Sequence, residues 1–313
     1  MPDTRTERIA IENREQWLAL RRQDVTASIA ACLVGAHPYA TAYGLWASKT
    51  GRIPDDVEET APMRRGRLLE SVAVQLLRED KPEWNIGQHP VGFYYRDPDA
   101  RIGATPDVLG TDEHGKKIVV QIKSVEASVF RREWQDEDRS ITPPMWIVVQ
   151  AIIEASLTGA ERAFVAPMVV SYGLDMPVIE VPLHAGIVGR IKTEVAAFWK
   201  LVDQGEAPDP DYARDGDIIG RIFPRDDGSE IDLTADNAFP MLVDQLAEAR
   251  AEKKLAASRE DEAKAGILAK MGGASYARMA DGRRVSCRLQ QRAGYSVAPS
   301  EFRVTRILNG RGR

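Results

Sequence analysis

At 313 residues, 43% hydrophobic and 28% charged, the chain has ordinary globular composition and enough length for one large core or two modest ones. Its longest apolar runs, such as "MWIVVQAII", fall far short of the roughly 20 residues a membrane span needs, and "MPDTRTERIA" has no apolar signal segment, so a cytoplasmic protein with no membrane partner is expected. The formal net charge of −5 argues against a protein that coats nucleic acid, while basic clusters ("LRRQ", "MRRGR", "FRRE", "NGRGR") leave room for a phosphate-facing surface on an acidic body.

In chain order, short helices broken by turn signals are expected between residues 11 and 50: "ENREQWLALRR", then "SIAACLV" stopped by Gly35, then "AYGLWASK" stopped by Gly51. A stronger amphipathic helix covers about 64–79. Strands follow at about 89–96, 100–104 and 117–125, then an apolar helix at 145–158 ended by Gly159. Strands at about 162–171 and 177–183 and an amphipathic helix at 185–203 complete a mixed α/β region. The proline- and aspartate-rich "GEAPDPDYARDGD" reads as a linker, placing a boundary between residues 1–205 and a C-terminal extension, 206–313. That extension holds a long charged helix stopped by Gly272-Gly273 and a small hairpin turning at Asp281-Gly282. Cys32 and Cys287 suggest neither a disulfide framework nor a thiolate metal site, and both read as small core residues.

Side chains alternate along a strand, so in "KIVVQIKSV" Val119, Gln121 and Lys123 share one face. Asp107 precedes that strand across the "TDEHGKK" turn, and a hairpin would bring the three polar side chains together. Carboxylate and amide oxygens suit Mg²⁺ or Mn²⁺, and a neighbouring lysine can place a water for attack on a phosphodiester. The plainer reading is a turn-capping Asp107 beside two residues on the wet face of a half-buried sheet.

On a helical wheel Glu70 falls among Leu69, Ala73, Val74 and Leu77, and an acid on an apolar face needs a partner, Arg67 or a cation, unless it sits at the helix edge. Gln150 is the one strongly polar residue in "MWIVVQAII", and its amide must find hydrogen bonds, in the core, in the same site, or from Glu154 one turn on. In "LRRQDVTASIAACLVG", Arg21 lies near a helix start bearing Thr26 and Ser28, which reads either as ordinary capping or as a phosphate pocket. No GxxxxGK[ST] and no dinucleotide fingerprint occurs, and the four histidines, His37, His89, His114 and His184, lack metal-ligand spacing. Trp134 and Trp146 read as core or interface residues rather than base platforms.

Taken in order, "VTASIAACLVGAHPYATAYGLWASKTG", "RRGRLLESVAVQLL", "GATPDVLG" with "VVQIKSV", and "PPMWIVVQAIIEASLTGAERAFVAPMV" resemble the YqaJ-type viral recombinases. These are the lambda-exonuclease-like branch of the PD-(D/E)xK nuclease superfamily, and the resemblance spans about residues 15–205. It implies a PD-(D/E)xK restriction-endonuclease-like α/β core, a central mixed sheet flanked by helices, here followed by a C-terminal helical arm and small hairpin. It further implies a Mg²⁺-dependent exonuclease, with Mn²⁺ as a possible substitute, acting from the 5′ end of linear duplex DNA.

By position, Glu70 matches the family's helix acid, Asp107 its metal-binding aspartate, Lys123 its catalytic lysine and Gln150 its helix glutamine. Arg21 and Ser28, with Thr26 between them, match the hold on the 5′-phosphate. Gln121 departs from the pattern, which more often has glutamate there, so the expected metal set is Glu70, Asp107 and the Gln121 amide oxygen. Relatives form ring-shaped homotrimers and work with a single-strand annealing protein, which implies a phage or prophage enzyme in a bacterial cell. An endonuclease on the same fold and a weakly catalytic DNA-end-binding module are the alternatives.

Overall fold

Apolar residues at both parities of Lys117–Glu126 make a strand buried on both faces rather than one. The computed structural model describes residues 5–54, 59–294 and 299–307, so the basic "NGRGR" cluster lies outside the described residues. The chain divides into two compact units, Met1–Ile222 and Phe223–Arg313.

The first unit runs β1 (Glu7–Ala10), α1 (Arg14–Gln23), β2 (Val25–Thr26), α2 (Ala27–Ala30) continuing as a 3-10 turn to Val34, α3 (Ala42–Lys49) and α4 (Ala61–Asp80). Next come β3 (Asn85–Ile86), β4 (Phe93–Asp97), β5 (Ile102–Ala104), β6 (Val108–Thr111), β7 (Lys117–Glu126), α5 (Ala127–Glu133) and α6 (Met145–Thr158). It ends with β8 (Arg162–Val170), β9 (Leu174–Asp175), β10 (Ile179–Val181), α7 (Ala185–Gln204) and α8 (Gly216–Ile222). Thr60 caps α4 through Met63 N–H, Gly159 at positive φ stops α6 as its sequence predicts, and Gly205, also at positive φ, stops α7.

The central sheet has the order β10-β8-β7-β6-β3, with β9 beside β8, and is mixed: β7 runs parallel to β8 and antiparallel to β6. A second sheet, β1-β4-β5-β2, takes the strands expected at 89–96 and 100–104. Ile118, Val120 and Ile122 of β7 pack with Ala73, Val74 and Leu77 of α4, while Val119 packs with Ile147, Ala151 and Ile152 of α6. Each such Val or Ile contributes about 1.5–3 kcal/mol by leaving water. Gln121 shares the Val119 face, so it lies beneath α6 and is 2% exposed, and the wet-face reading of that position does not hold.

The segment after Gly205 is held within the first unit: Arg214 donates to the carbonyls of His37 and Ala40, and Thr41 Oγ1 donates to the buried Asp215. Composition there reads as linker because the anchoring residues are themselves polar.

The second unit holds α9 (Ala238–Met271), with no buried residue, and a hairpin of β11 (Tyr276–Arg278) and β12 (Arg284–Ser286) turning at Gly282. Cys32 is a core residue as expected, but Cys287, just past β12, is exposed, because the hairpin is too small to enclose its side chains.

Candidate active site

The β6–β7 hairpin places Asp107, just before β6, against the middle of β7. Its Oδ2 accepts from the backbone N–H of Ile122 at 2.8 Å and from Gln121 Nε2 in a short contact. Lys123 Nζ donates to Gln150 Oε1 across 3.0 Å, bringing α6 into the same group.

A lysine ammonium has only donors, so the oxygen of Gln150 faces Lys123 and its nitrogen faces away. That nitrogen donates to Gln121 Oε1 at 2.6 Å and to Glu154 Oε1 at 2.9 Å. The Gln121 oxygen is therefore taken, and its amide nitrogen serves Asp107 and the carbonyl of Ile122. Where the sequence suggested an amide oxygen standing beside the Asp107 carboxylate, the network turns an N–H toward it. An amide left unpaired at this depth would cost about 1–3 kcal/mol, which is why both glutamines are fully bonded.

Glu70 occupies the end of the α4 stripe that approaches Asp107, but its side chain is 39% exposed rather than buried in the apolar face. The wheel places it correctly in angle. Both cavities that meet at Asp107 are lined by Glu70, so one side of it stays open. Its neighbour is His89 Nε2 at 3.5 Å, not Arg67, which pairs with Glu59 at 2.7 Å. His89 Nδ1 also lies 3.3 Å from the Asp107 carbonyl, a placement its sequence neighbours gave no sign of.

Burial raises the Asp107 pKa above the ordinary carboxylate range, Lys123 opposes this and Glu70 adds to it. Glu154, 1% exposed, is raised chiefly by burial and also by Asp107. Its Oε1 answers Gln150, the partnership its spacing suggested, and its Oε2 has no hydrogen-bond partner.

A cavity of about 450 Å³ joins this group to the start of the chain, with Arg21, Thr26 and Ser28 along its wall together with Asp107, Lys123 and Gln150. The Arg21 guanidinium lies 4.4 Å from the Trp17 ring centroid, and Trp17 Nε1 donates to Thr105 Oγ1 at 3.0 Å, tying α1 to the loop that carries Asp107. Thr26 stands at the cap position of α2 but makes no side-chain capping bond. Its hydroxyl lies 3.1 Å from that of Ser28. The helix is only four residues long, so any hold on an anion here comes from Arg21 and the two hydroxyls rather than from a helix dipole.

The residues present fit a hard divalent cation. Carboxylates from Glu70, Asp107 and Glu154 and the Ile122 carbonyl are all oxygen donors, and the unpaired Glu154 Oε2 is a buried oxygen awaiting a partner. Among the described residues no three His, Cys, Asp or Glu side chains form a ready-made cage.

Residues 16–161 match the sequence profile described as the YqaJ-like viral recombinase domain. That stretch is similar to the YqaJ-like viral recombinases. A protein of Bacillus subtilis (strain 168) described as uncharacterized protein YqaJ is 23% identical over 258 residues, covering 77% of this chain and 75% of that protein. Among solved structures, an alkaline exonuclease from Laribacter hongkongensis aligns with TM-score 0.47 and 21% identity over 61% of this chain and 93% of that one. A putative exonuclease from Eubacterium rectale aligns with TM-score 0.44 and 12% identity over 72% and 98%.

The matched stretch contains Arg21, Thr26, Ser28, Glu70, Asp107, Gln121, Lys123, Gln150 and Glu154, so every side chain of the cavity network lies within it. Among the described residues no helix is long and apolar enough to cross a membrane.

Proposed function

We propose that the domain is a Mg²⁺-dependent exonuclease that removes nucleotides from the 5′ end of linear duplex DNA and leaves the 3′ overhang that a single-strand annealing protein uses in phage-type recombination. The observation that carries this reading is the hydrogen-bonded chain Lys123–Gln150–Gln121–Asp107, lying in one cavity with Arg21, Thr26 and Ser28. Glu70 and Asp107 would hold a divalent ion, which when bound would supply Lewis acidity toward the phosphate and a more acidic water.

Lys123 then holds the attacking water and a phosphoryl oxygen, and Gln150 fixes the lysine by accepting from its ammonium. Gln121 holds Asp107 in place through its amide nitrogen, and joins the ligands only if that amide turns over. Arg21 with the Thr26 and Ser28 hydroxyls receives the 5′-phosphate of the terminal nucleotide. A homotrimer, as the resemblance implies, would let product strand and duplex occupy opposite sides of a ring.

Linear duplexes with 5′-phosphate or 5′-hydroxyl ends, beside covalently closed circles, each with and without Mg²⁺, test the reading. Release of acid-soluble nucleotides only from linear DNA and only with Mg²⁺ is expected. Cutting of closed circles would establish the endonuclease alternative, and binding without release the end-binding module.

Arg21→Ala should remove most of the preference for 5′-phosphorylated ends, a charge-assisted contact being worth about 1.5–3 kcal/mol. Rates on 5′-hydroxyl ends should change little; equal losses on both would give Arg21 a general role instead.

A Mg²⁺ titration probes position 121. Gln121→Glu should lower the concentration needed for half-maximal rate, since a carboxylate there adds formal charge to a hard-ion site. Gln121→Ala should raise that concentration or end activity, because Asp107 loses its side-chain donor. A Gln121→Ala enzyme matching the parent throughout would remove Gln121 from the site.

A further inference from the structure

Charge is divided unevenly along the chain. From Gly273 to Arg313 there are nine arginines, no lysine and two acids, a formal net charge of +7, while the preceding 272 residues carry 33 basic and 45 acidic side chains, a net charge of −12. An acidic chain with one end so basic concentrates there its attraction for a polyanion. Both acids of that end are already engaged: Asp281 pairs with Arg283 at 2.6 Å, and Glu301 with Arg225 at 3.3 Å.

The hairpin gives part of this charge a fixed geometry. Tyr276 lies opposite Ser286 and Arg278 opposite Arg284, so a period of two puts all four on one face, and all four are exposed. Ala277 and Val285, also opposite each other, form the half-buried other face. Like charges directly opposite each other weaken a ladder, and among the described residues neither Arg278 nor Arg284 is ion-paired. A phosphate between the two guanidiniums removes that repulsion, because each fork matches phosphate oxygens.

Beside them Tyr276 is 50% exposed, with the Arg284 guanidinium 5.4 Å from its ring centroid. A duplex keeps its bases stacked on one another and has no use for such a ring. The unstacked bases of a single strand can lie on it whatever their identity.

We propose that the C-terminal hairpin is a binding site for single-stranded DNA, with Arg278 and Arg284 on the phosphate backbone and Tyr276 against a base. Under the nuclease reading the strand held there is the 3′ overhang, but the site stands on its own residues and does not need that reading.

The test uses the full chain in Mg²⁺-free buffer with a fluorescent circular oligothymidylate, which has neither an end nor base pairs, and a covalently closed duplex circle of matched length. Dissociation constants are measured between about 50 and 200 mM salt. The parent should bind the single-stranded circle at least about 10-fold more tightly than the duplex circle, a stacked base adding to the phosphate contacts. Arg278→Ala with Arg284→Ala should reduce the slope of log affinity on log salt by about 1.4, twice the 0.7 of one phosphate contact on a single strand. Tyr276→Ala should weaken binding by about 5- to 100-fold, the range one base–aromatic stack spans. Arg278→Lys with Arg284→Lys keeps the charge and should keep the parental slope, which separates lost phosphate contacts from a hairpin that fails to fold. An alanine pair with the parental slope, a lysine pair that loses as much as the alanine pair, or a Tyr276→Ala protein that binds as the parent does overturns the proposal. Tighter binding of the duplex circle by the parent overturns it too. No readout here involves hydrolysis, so an enzyme that proves inactive on linear duplex overturns the nuclease reading and leaves these results unchanged.

Discussion

Asp107→Ala should lower nucleotide release from a 5′-phosphorylated linear duplex by about 10³-fold or more, the scale on which a charge-stabilising group of a reaction centre acts. Asp107 joins two roles in one carboxylate. It is the acid that the β6–β7 hairpin carries to the middle of the cavity, and it is the acceptor for Ile122 N–H and the Gln121 amide. Alanine leaves both donors without an acceptor, at about 1–3 kcal/mol each, but also removes a carboxylate whose burial is unfavourable. Asp107→Asn keeps an oxygen for Ile122 and is the cleaner variant. Both should bind linear duplex in Mg²⁺-free buffer within a few-fold of the parent, and circular dichroism should report an unchanged fold. Digestion by Asp107→Asn at the parental rate would remove the cation from this place.

Lys123→Met should lower kcat by about 10²–10⁴-fold, the usual range for a group that moves or steers a proton in the transition state. Methionine keeps much of the stem that passes Trp146 and removes only the charge, so packing should survive. Gln150 Oε1 then loses its donor, which frees the amide and loosens Gln121 in turn. Lys123→Arg should recover little, because a planar fork does not reproduce the point charge that meets Gln150 at 3.0 Å. The measurement is single-turnover release with saturating Mg²⁺. A Lys123→Met enzyme with unchanged kcat and raised KM would assign the lysine to substrate binding alone.

Glu154 shows how a network alters the meaning of a residue. Its spacing from Gln150 made it a candidate hydrogen-bond partner and nothing more. In the fold it is one of the most deeply buried acids, held to Gln150 by one oxygen while the other has no partner. With a glutamine at position 121, Glu154 places a further carboxylate on the wall of the same cavity.

The elements that carry these side chains were legible without coordinates. Residues 145–158 read as a helix because fourteen mostly apolar residues end in a glycine able to take positive φ, and α6 has those limits. The "TDEHGKK" turn announced the hairpin, and a period of two put Gln121 and Lys123 on one face. Local pattern sufficed because strand alternation, helix angle and glycine stops are properties of a few consecutive residues. Four ordered motifs added the family resemblance, because together they define a spacing that no single one could.

What lay beyond the sequence was everything that depends on which surface covers which. The burial of Gln121 follows from α6 closing over β7, not from any neighbour of Gln121 in the chain. The direction of its amide is decided two bonds away by Lys123, through Gln150. His89 meets Glu70 and the Asp107 backbone only because the loop before β4 returns to α4. Arg214, written in what reads as a linker, holds the loop of Tyr39 across more than 170 residues of chain. Periodicity assigns a side chain to a face. Its exposure, its partners and the sense of its hydrogen bonds are set by contacts between segments far apart in the sequence, and for this protein those contacts turn a row of ordinary polar residues into a site.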